Sequence, residues 1–317
     1  GDIWQIKTKN LPTGKDKEHQ ARIVINAAGP WVDIVLGGAF GNNNLNNVRL
    51  VQGSHIVVPR LYDHDRAYIF QNADERIIFA LPYEQDFTLI GTTDRDYSGD
   101  PKDVKITDEE IKYLCDAASE YFLQPIKREN IVWTYAGIRP LYNDGASAAQ
   151  EATRDYVLKV DGDKSTPAVI NIFGGKITTY RRLAESMLKN IEELLGERSG
   201  KWTESSPLPG GDFLVSDFKI LVDKLQSEFS FLKYKTAERL IRSYGTRAWE
   251  ILKNINSQDE MGEYFGASLY ECEVRYLMSE EWAECAEDIL WRRSKLLLQM
   301  SDEEVAALDK WMKEHSK

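Results

Sequence analysis

The segment Pro207–Gly211 holds two prolines and two glycines in five residues, and the sequence changes character on either side of it. Before it, short apolar stretches alternate with turn residues, a pattern that predicts strands. After it, apolar residues recur at helical spacing, as they do within residues 218–229. Neither a single sheet nor a single helical bundle fits both parts. We therefore predict two domains, at residues 1–210 and 211–317.

The sequence of the first domain predicts two kinds of sheet, one parallel and one antiparallel. The apolar run Ala21–Gly29 ends in small residues and precedes Pro30, which suits the first turn of a helix, so it predicts a buried strand of a parallel sheet. An antiparallel sheet is predicted from the strand-like stretches Ser54–Val58, Ala67–Gln71, Arg76–Ala80 and Thr88–Thr92. Further strands are predicted at 130–135, 156–160 and 168–173, and helices at 178–195, 215–229, 236–244, 246–255, 269–277, 283–298 and 301–313. The capping box Thr107–Glu110 predicts the start of another helix. The fold class is therefore α+β, followed by an all-α C-terminal domain.

Composition excludes several functions. The formal net charge is −11, and both predicted domains contain more acidic than basic residues, which excludes a nucleic-acid binder that depends on clustered basic charge. No apolar run approaches the roughly 20 residues of a membrane-spanning helix. Three cysteines without CxxC spacing favour a reducing cytoplasm. No metal-ligand spacing is present, so we predict no metal site.

Two junctions join a strand through small residues to a helix. The first contains Ala28, Gly29 and Trp31, and the second contains Gly174, Gly175, Lys176 and Thr178. Glycine lets the backbone approach a ligand closely, and a helix N-terminus stabilises negative charge, as the binding of a reduced flavin requires. The alternative is that both are tight turns without a ligand.

Cationic side chains and one histidine are further candidates for a site. Arg139, Arg154 and Lys176 are the residue types that a phosphate dianion requires, although most lysines and arginines are surface cations. His55 is predicted at the head of a strand beside Gly53. An imidazole with a pKa of about 6.5 can accept the proton of an alcohol, whereas the alternative is a structural histidine.

Six motifs in order carry a resemblance to a known family. They are Ala27–Trp31 (AAGPW), Gly53–Pro59 (GSHIVVP), Ile90–Asp94 (IGTTD), Trp133–Pro140 (WTYAGIRP), Thr153–Asp155 (TRD) and Phe173–Arg181 (FGGKITTYR). Together they resemble the aerobic, membrane-associated FAD-dependent glycerol-3-phosphate dehydrogenases, from about Ala21 to the C-terminus. The helical tail, through Leu290–Lys295, resembles the C-terminal domain of that family.

The resemblance implies a reaction and roles for the candidate residues. Glycerol 3-phosphate would be oxidised to dihydroxyacetone phosphate by hydride transfer to FAD, and a quinone would take the electrons. The implied substrate residues are Arg139 and Arg154 for the phosphate, His55 near the carbon-2 hydroxyl, and Lys176 between substrate and flavin. The implied flavin residues are Ala28, Gly29, Trp31, Gly174, Gly175, Lys176 and Thr178. Either His55 or Lys176 could be the base, and the sequence leaves both open.

One departure from the family concerns the N-terminus. The family begins with a strand–helix–strand unit that carries a GxGxxG fingerprint for the FAD pyrophosphate, and this sequence contains no such fingerprint. We expect the chain to be a fragment of the FAD-binding α/β unit that is inactive alone. In the cell we expect the enzyme in the cytoplasm, peripheral on the inner face of the membrane, with a homodimer as the assembly to test. A related flavin amine or amino-acid oxidase and a non-catalytic binding module are the alternatives.

Overall fold

The computed structural model describes residues 3–42, 46–145, 153–197 and 199–315. Within it the chain forms two compact units, Gly1–Glu204 and Ser205–Lys317. This division lies a few residues before the boundary predicted near Gly210. The reason is local: the backbone carbonyl of Gly210 accepts a hydrogen bond from the Thr246 N–H at 3.0 Å, so this segment packs with the helical unit.

The first unit is rich in strands. In chain order it contains β1 (Trp4–Lys9), β2 (Asp16–Ala21), β3 (Ile23–Asn26), α1 (Val32–Phe40), β4 (Val48–Pro59), β5 (Tyr68–Gln71), β6 (Ile77–Tyr83), β7 (Phe87–Gly91), β8 (Arg95–Asp96), α2 (Asp108–Ser119), β9 (Trp133–Tyr142), β10 (Tyr156–Asp161), β11 (Ala168–Gly174) and α3 (Tyr180–Leu195). Strands β1 and β2 form a separate antiparallel hairpin.

The largest sheet is antiparallel, as the sequence predicted. Its strand order is β5-β6-β7-β4-β8, and β9 pairs with β4 along ten residues, from Val48 opposite Tyr142 to Val57 opposite Trp133. Helix α2 packs on one face of this sheet. It begins at the predicted capping box, in which the Thr107 hydroxyl accepts from the Glu110 N–H at 3.2 Å and the Glu110 carboxylate accepts from the Thr107 N–H at 3.0 Å.

A smaller sheet has the order β10-β11-β3. Strands β11 and β3 are parallel, with Ala168 opposite Ile23 and Asn171 opposite Asn26. The sequence therefore predicted the parallel strand correctly. The prediction that this strand is buried was wrong for Ile25, which is 40% exposed. The reason is that β3 is an edge strand of this sheet in the described part of the chain.

The second unit is mainly helical. Its elements are α4 (Phe218–Glu228), α5 (Tyr234–Tyr244), α6 (Ala248–Ile251), β12 (Tyr264–Gly266), β13 (Leu269–Tyr270), α7 (Glu271–Glu280) and α8 (Asp302–His315). Its core is a single apolar cluster that includes Leu240, Leu252 and Leu308. The β12–β13 hairpin corrects the prediction of an all-α domain.

Two predicted helices of this unit are shorter than the periodicity suggested. The helix predicted at 246–255 covers only α6, because Asn254 adopts a left-handed conformation with φ 65°. The helix predicted at 283–298 is a π-helical segment at 288–293 that ends where the Ser294 N–H donates to the Ile289 carbonyl. Neither interruption changes the spacing of the apolar residues in the sequence, so the periodicity did not predict it.

Candidate active site

His55 lies inside β4 rather than at the head of a strand, because β4 already begins at Val48 through its pairing with β9. It faces Gly91 of β7 on one side and Tyr135 of β9 on the other. The imidazole stacks on the Tyr135 ring, with ring centroids 4.6 Å apart and planes 8° from parallel. The histidine is therefore held flat against its neighbour strand.

The environment of His55 disfavours its protonated form. Burial, and secondarily the positive charge of Arg139, lower its pKa from 6.5 to about 4. Its Nδ1 is buried and has no hydrogen-bond partner within the described residues. At neutral pH His55 is therefore an uncharged imidazole with a free ring nitrogen.

The lowered pKa of His55 predicts a pH dependence of stability. Between pH 6.5 and 4 the unfolded chain binds a proton at this residue and the folded chain does not, so protonation favours unfolding. The contribution of His55 to the free energy of unfolding is fully present above pH 6.5. It should fall by about 2–3 kcal/mol as the pH approaches 4.5. Chemical unfolding of the parent and of His55→Asn at pH 7.5 and 4.5 measures this difference.

The variant should lose less stability over this interval than the parent. His19, which is exposed on β2, provides the matched control, and His19→Asn should follow the parent. Equal pH dependence of the parent and His55→Asn would contradict the lowered pKa.

Gly91 leaves the space that the His55 ring occupies. A Cβ atom at position 91 would lie 2.2 Å from Cδ2 and 2.9 Å from Nε2 of His55. The Gly91→Ala variant should therefore lose about 1–3 kcal/mol of unfolding free energy, because the ring must leave its stacked position on Tyr135.

Urea unfolding measures this effect against Gly38→Ala. Gly38 lies in helix α1, and its added Cβ would meet nothing within 4 Å. This control should be neutral or more stable by about 0.5–1 kcal/mol, since alanine favours the helix. The close packing of Gly91 against His55 is refuted if Gly91→Ala is as stable as the parent.

Arg139 extends from β9 across the end of β7. Its Nη1 donates to the Asp94 carboxylate at 2.9 Å and to the Thr93 carbonyl at 3.3 Å, and its Nη2 donates to the Thr92 hydroxyl at 2.9 Å. Gly53 makes room for this guanidinium, because a Cβ there would lie 2.4 Å from Nη2. Burial lowers the pKa of Arg139, while Asp94 raises it. The group is charged and held by three partners.

Arg154 reaches the same carboxylate from the loop before β10. Its Nη2 lies 3.8 Å from Asp94 Oδ2, while Arg139 occupies Oδ1. The side chain of Arg154 is 44% exposed, against 27% for Arg139. The structure thus brings together the two arginines that the sequence singled out, and within its described ranges both pair with the carboxylate of Asp94.

The two glycine junctions lie at one edge of the smaller sheet, because β3 and β11 are parallel and both end there. Gly29, Gly174 and Gly175 adopt φ values of 54°, 69° and 99°, a region that side-chain-bearing residues rarely adopt. Beneath this edge, Asn26 donates to the Asn171 side chain at 2.9 Å and to the Val32 carbonyl at 3.0 Å. Its own Oδ1 is buried without a partner within the described residues. This edge therefore combines backbone that a ligand can approach closely with a hydrogen-bond acceptor, Asn26 Oδ1, that has no partner among the described residues.

Strand β9 connects this edge to the arginine pair. A Cβ at Gly174 would lie 3.7 Å from the Pro140 carbonyl, next in sequence to Arg139, and 3.4 Å from the Tyr142 nitrogen. Strand β9 also contacts the short helical turn Gly29–Trp31. Around the edge, Ala28 and Gly29 are half-buried, and Trp31, Lys176 and Thr178 are exposed. The predicted residues therefore gather around β9 and the ends of β3 and β11.

Asp94 and Tyr135 received no role from the sequence. Asp94 lies three residues after the end of β7 at Gly91, and a carboxylate close to a strand end is a signal that could have identified it. Tyr135 gave no signal, because its stacking on His55 depends on the register between two strands far apart in the sequence.

Family models match both parts of the chain. A model described as FAD dependent oxidoreductase matches residues 1–181. A second model, the C-terminal domain of alpha-glycerophosphate oxidase, matches residues 201–317.

Curated relatives match most of this chain. A glycerol-3-phosphate dehydrogenase of Pseudomonas aeruginosa is 43% identical over 92% of the chain and 57% of its own length. A D-erythritol 1-phosphate dehydrogenase of Brucella abortus is 39% identical over 97% of the chain and 61% of its own length. The aerobic glycerol-3-phosphate dehydrogenase of Escherichia coli is 38% identical over 99% of the chain and 61% of its own length. The chain thus spans about three fifths of these relatives.

One solved structure is similar over nearly the whole chain. It is the glycerol-3-phosphate dehydrogenase from Bacillus halodurans complexed with FAD, at 25% identity and a TM-score of 0.79. The match covers 98% of this chain and 61% of that protein. Among the residues described here, no helix combines the length and the apolar character that crossing a bilayer requires.

Proposed function

This chain belongs to the family of FAD dependent oxidoreductases, and we propose that it forms the substrate side of an enzyme that oxidises glycerol 3-phosphate to dihydroxyacetone phosphate. The observation that carries the proposal is the convergence of Arg139 and Arg154 on Asp94, with the Arg139 guanidinium packed against Gly53, two residues from the uncharged His55. This arrangement supplies an anion site and a proton acceptor.

The charge of the arginine pair favours a phosphate. Among the described residues, two guanidinium groups share the carboxylate of Asp94, and this described cluster carries an excess positive charge. A phosphate dianion matches forked donors of this kind, whereas a carboxylate substrate of an amine or amino-acid oxidase needs only one arginine. The relatives from Pseudomonas and Brucella are named for phosphorylated polyols, which supports the same class of substrate.

His55 is the better candidate for the base. It is uncharged at neutral pH, so the ring can accept the proton of the carbon-2 hydroxyl. Arg139 contributes to its low pKa, and a phosphate bound to Arg139 would offset that charge and raise the proton affinity of the ring. Lys176 is exposed at the sheet edge and is the second candidate.

The residues at the ends of β3 and β11 fit an FAD isoalloxazine. The unsatisfied Asn26 Oδ1 and the left-handed glycines at 29, 174 and 175 provide an acceptor and close backbone approach. The residues that would hold the flavin are Ala28, Gly29, Trp31, Gly174, Gly175, Lys176 and Thr178. When bound, FAD supplies the hydride acceptor for carbon 2 of the substrate.

The fate of the electrons is the second part of the proposal. We propose a quinone as acceptor, with the protein peripheral on the inner face of the cell membrane and a homodimer as its assembly. The support is the similarity to an enzyme named aerobic glycerol-3-phosphate dehydrogenase. Reduction of a soluble quinone analogue by substrate-reduced protein, in the presence and absence of vesicles, tests this part separately.

Substrate-dependent bleaching of the flavin absorbance tests the proposed reaction. In the FAD-loaded protein that carries this chain, glycerol 3-phosphate should bleach the flavin under anaerobic conditions, and glycine and sarcosine should not. D-Erythritol 1-phosphate measures how tightly the site restricts polyol length. Faster bleaching by glycine or sarcosine would replace the proposal with an amine oxidase. The absence of bleaching by any of them would favour a non-catalytic binding module.

A further inference from the structure

A buried carboxylate lies beneath the site, on the opposite face of the sheet. Glu110, in the first turn of α2, is only 7% exposed. Its Oε1 accepts from the hydroxyls of Ser54 at 2.8 Å and Thr93 at 2.6 Å. Its Oε2 accepts from Gln52 Nε2 at 2.9 Å and, through the capping box, from the Thr107 N–H at 3.0 Å. Four donors thus converge on one carboxylate.

The alternation of β4 separates this cluster from the site. Gln52 and Ser54 point towards α2, whereas Gly53 and His55 face Arg139 and Tyr135 on the other side of the sheet. Glu110 therefore touches neither the imidazole nor the guanidinium groups. Any effect on the site must pass through the residues that Glu110 holds.

Thr93 provides that connection. It is 3% exposed, and its hydroxyl donates to Glu110 while accepting from the Ser54 N–H at 3.0 Å. Its own carbonyl accepts from Arg139, and the next residue, Asp94, holds both arginines. The Thr92 hydroxyl, which also accepts from Arg139, donates to the Thr93 carbonyl at 3.0 Å. A shift of the Thr93 backbone would therefore disturb each partner of the arginine pair among the described residues.

We propose that Glu110 is a positioning residue for the anion site: through Thr93 it fixes the loop that aims Arg139 and Arg154. This inference rests on the proposed function only for the identity of the substrate. It predicts that loss of Glu110 weakens anion binding while leaving the transfer step from bound substrate unchanged. A residue that serves only global stability would not separate these two quantities.

Four variants of the FAD-loaded protein test the proposal: Glu110→Ala, Thr93→Val, the double variant, and Glu109→Ala as the control. Glu109 is the adjacent carboxylate on α2 and is exposed. Calorimetric titration with inorganic phosphate gives the Kd for the anion. Stopped-flow reduction at varied glycerol 3-phosphate gives the Kd of substrate and the limiting rate.

Glu110→Ala should raise both Kd values about 10- to 100-fold, the usual cost of misplaced positioning groups, and should keep the limiting rate within a few-fold. Thr93→Val should act similarly, and the double variant should be no weaker than the worse single variant, because both act through one connection. Glu109→Ala should match the parent. If Glu110→Ala does not fold, Thr93→Val carries the test.

The proposal is overturned if Glu110→Ala binds phosphate as tightly as the parent. If Glu110→Ala does not fold, the same result in Thr93→Val overturns it. Additive effects of the two replacements in the double variant also overturn it. Equal loss of affinity and limiting rate also overturns it, because it indicates general disruption. If the parent binds phosphate but glycerol 3-phosphate does not reduce it, the proposed function fails while the phosphate titrations still decide the role of Glu110. A parent that binds no phosphate overturns the anion site itself.

Discussion

The His55→Asn variant should reduce its flavin about 10²- to 10⁴-fold more slowly than the parent when glycerol 3-phosphate is the donor, the usual contribution of general base catalysis. Asparagine keeps a polar group of similar size but cannot accept the hydroxyl proton. Reoxidation by a quinone should be unchanged, because that half-reaction does not involve the substrate hydroxyl. Anaerobic stopped-flow measurement of the two half-reactions separates them.

The pH dependence adds a second criterion. Because the pKa of His55 lies at about 4 in the substrate-free protein, the imidazole is already in its base form at neutral pH. The ratio of the limiting reduction rate to the Kd of substrate, which reports the groups of the substrate-free protein, should therefore be nearly constant above neutrality in the parent. Raising the pH should not restore the rate of His55→Asn.

A purely structural role for His55 predicts the opposite pattern. The ring packs against Tyr135 and above Gly91, so its loss would then lower stability while the reduction rate per folded, flavin-loaded molecule stayed within a few-fold of the parent. That result would remove His55 as the base. Lys176 would then be the residue to replace next.

Local patterns predicted the elements that shape the site. The capping box at Thr107–Glu110 and the apolar run before Gly29 encode their structures within a few residues, and both were predicted correctly. These two features need no knowledge of distant pairing. The meeting of the two glycine junctions does need it, because it depends on the parallel pairing of β3 with β11.

Other features depend on contacts that local patterns do not contain. The stacking of His55 on Tyr135 requires the register between β4 and β9, and a shift of one residue would place the imidazole on the face of α2. Glu110 belongs to a capping box that would normally lie at the surface, yet it is buried because Ser54 and Thr93 supply hydrogen bonds from distant segments. Burial of a carboxylate can be inferred only when its donors are known.

The predicted length of the helix at 283–298 was wrong for a related reason. The Asp288 carboxylate accepts from the backbone N–H groups of Glu284 at 2.9 Å and Cys285 at 3.2 Å, which fixes a new start inside the predicted helix. The apolar residues keep helical spacing across this start. Periodicity alone therefore could not locate it.

Replacement of Arg139 should weaken substrate binding more than any other change at the anion site. Arg139 makes three hydrogen bonds and is the less exposed of the two arginines, so Arg139→Ala removes a largely desolvated cation. Loss of such a partner to a charged group costs about 2–5 kcal/mol, which corresponds to a rise in KM of about 30- to 5,000-fold. Arg139→Lys should recover little, because an ammonium group cannot replace the forked contacts to Asp94 and Thr92.

Arg154→Ala should raise KM less, by about tenfold, because solvent screens its half-exposed side chain and its contact with Asp94 is 3.8 Å long. The two effects should not add in the double variant, since both guanidinium groups share the Asp94 carboxylate. Slow oxidation of glycerol, which lacks a phosphate, provides the control: it should be insensitive to both replacements. Equal losses of activity with glycerol and glycerol 3-phosphate would indicate a disturbed fold. A larger rise in KM for Arg154→Ala than for Arg139→Ala would show that the phosphate binds at the exposed side of Asp94 rather than beside Arg139.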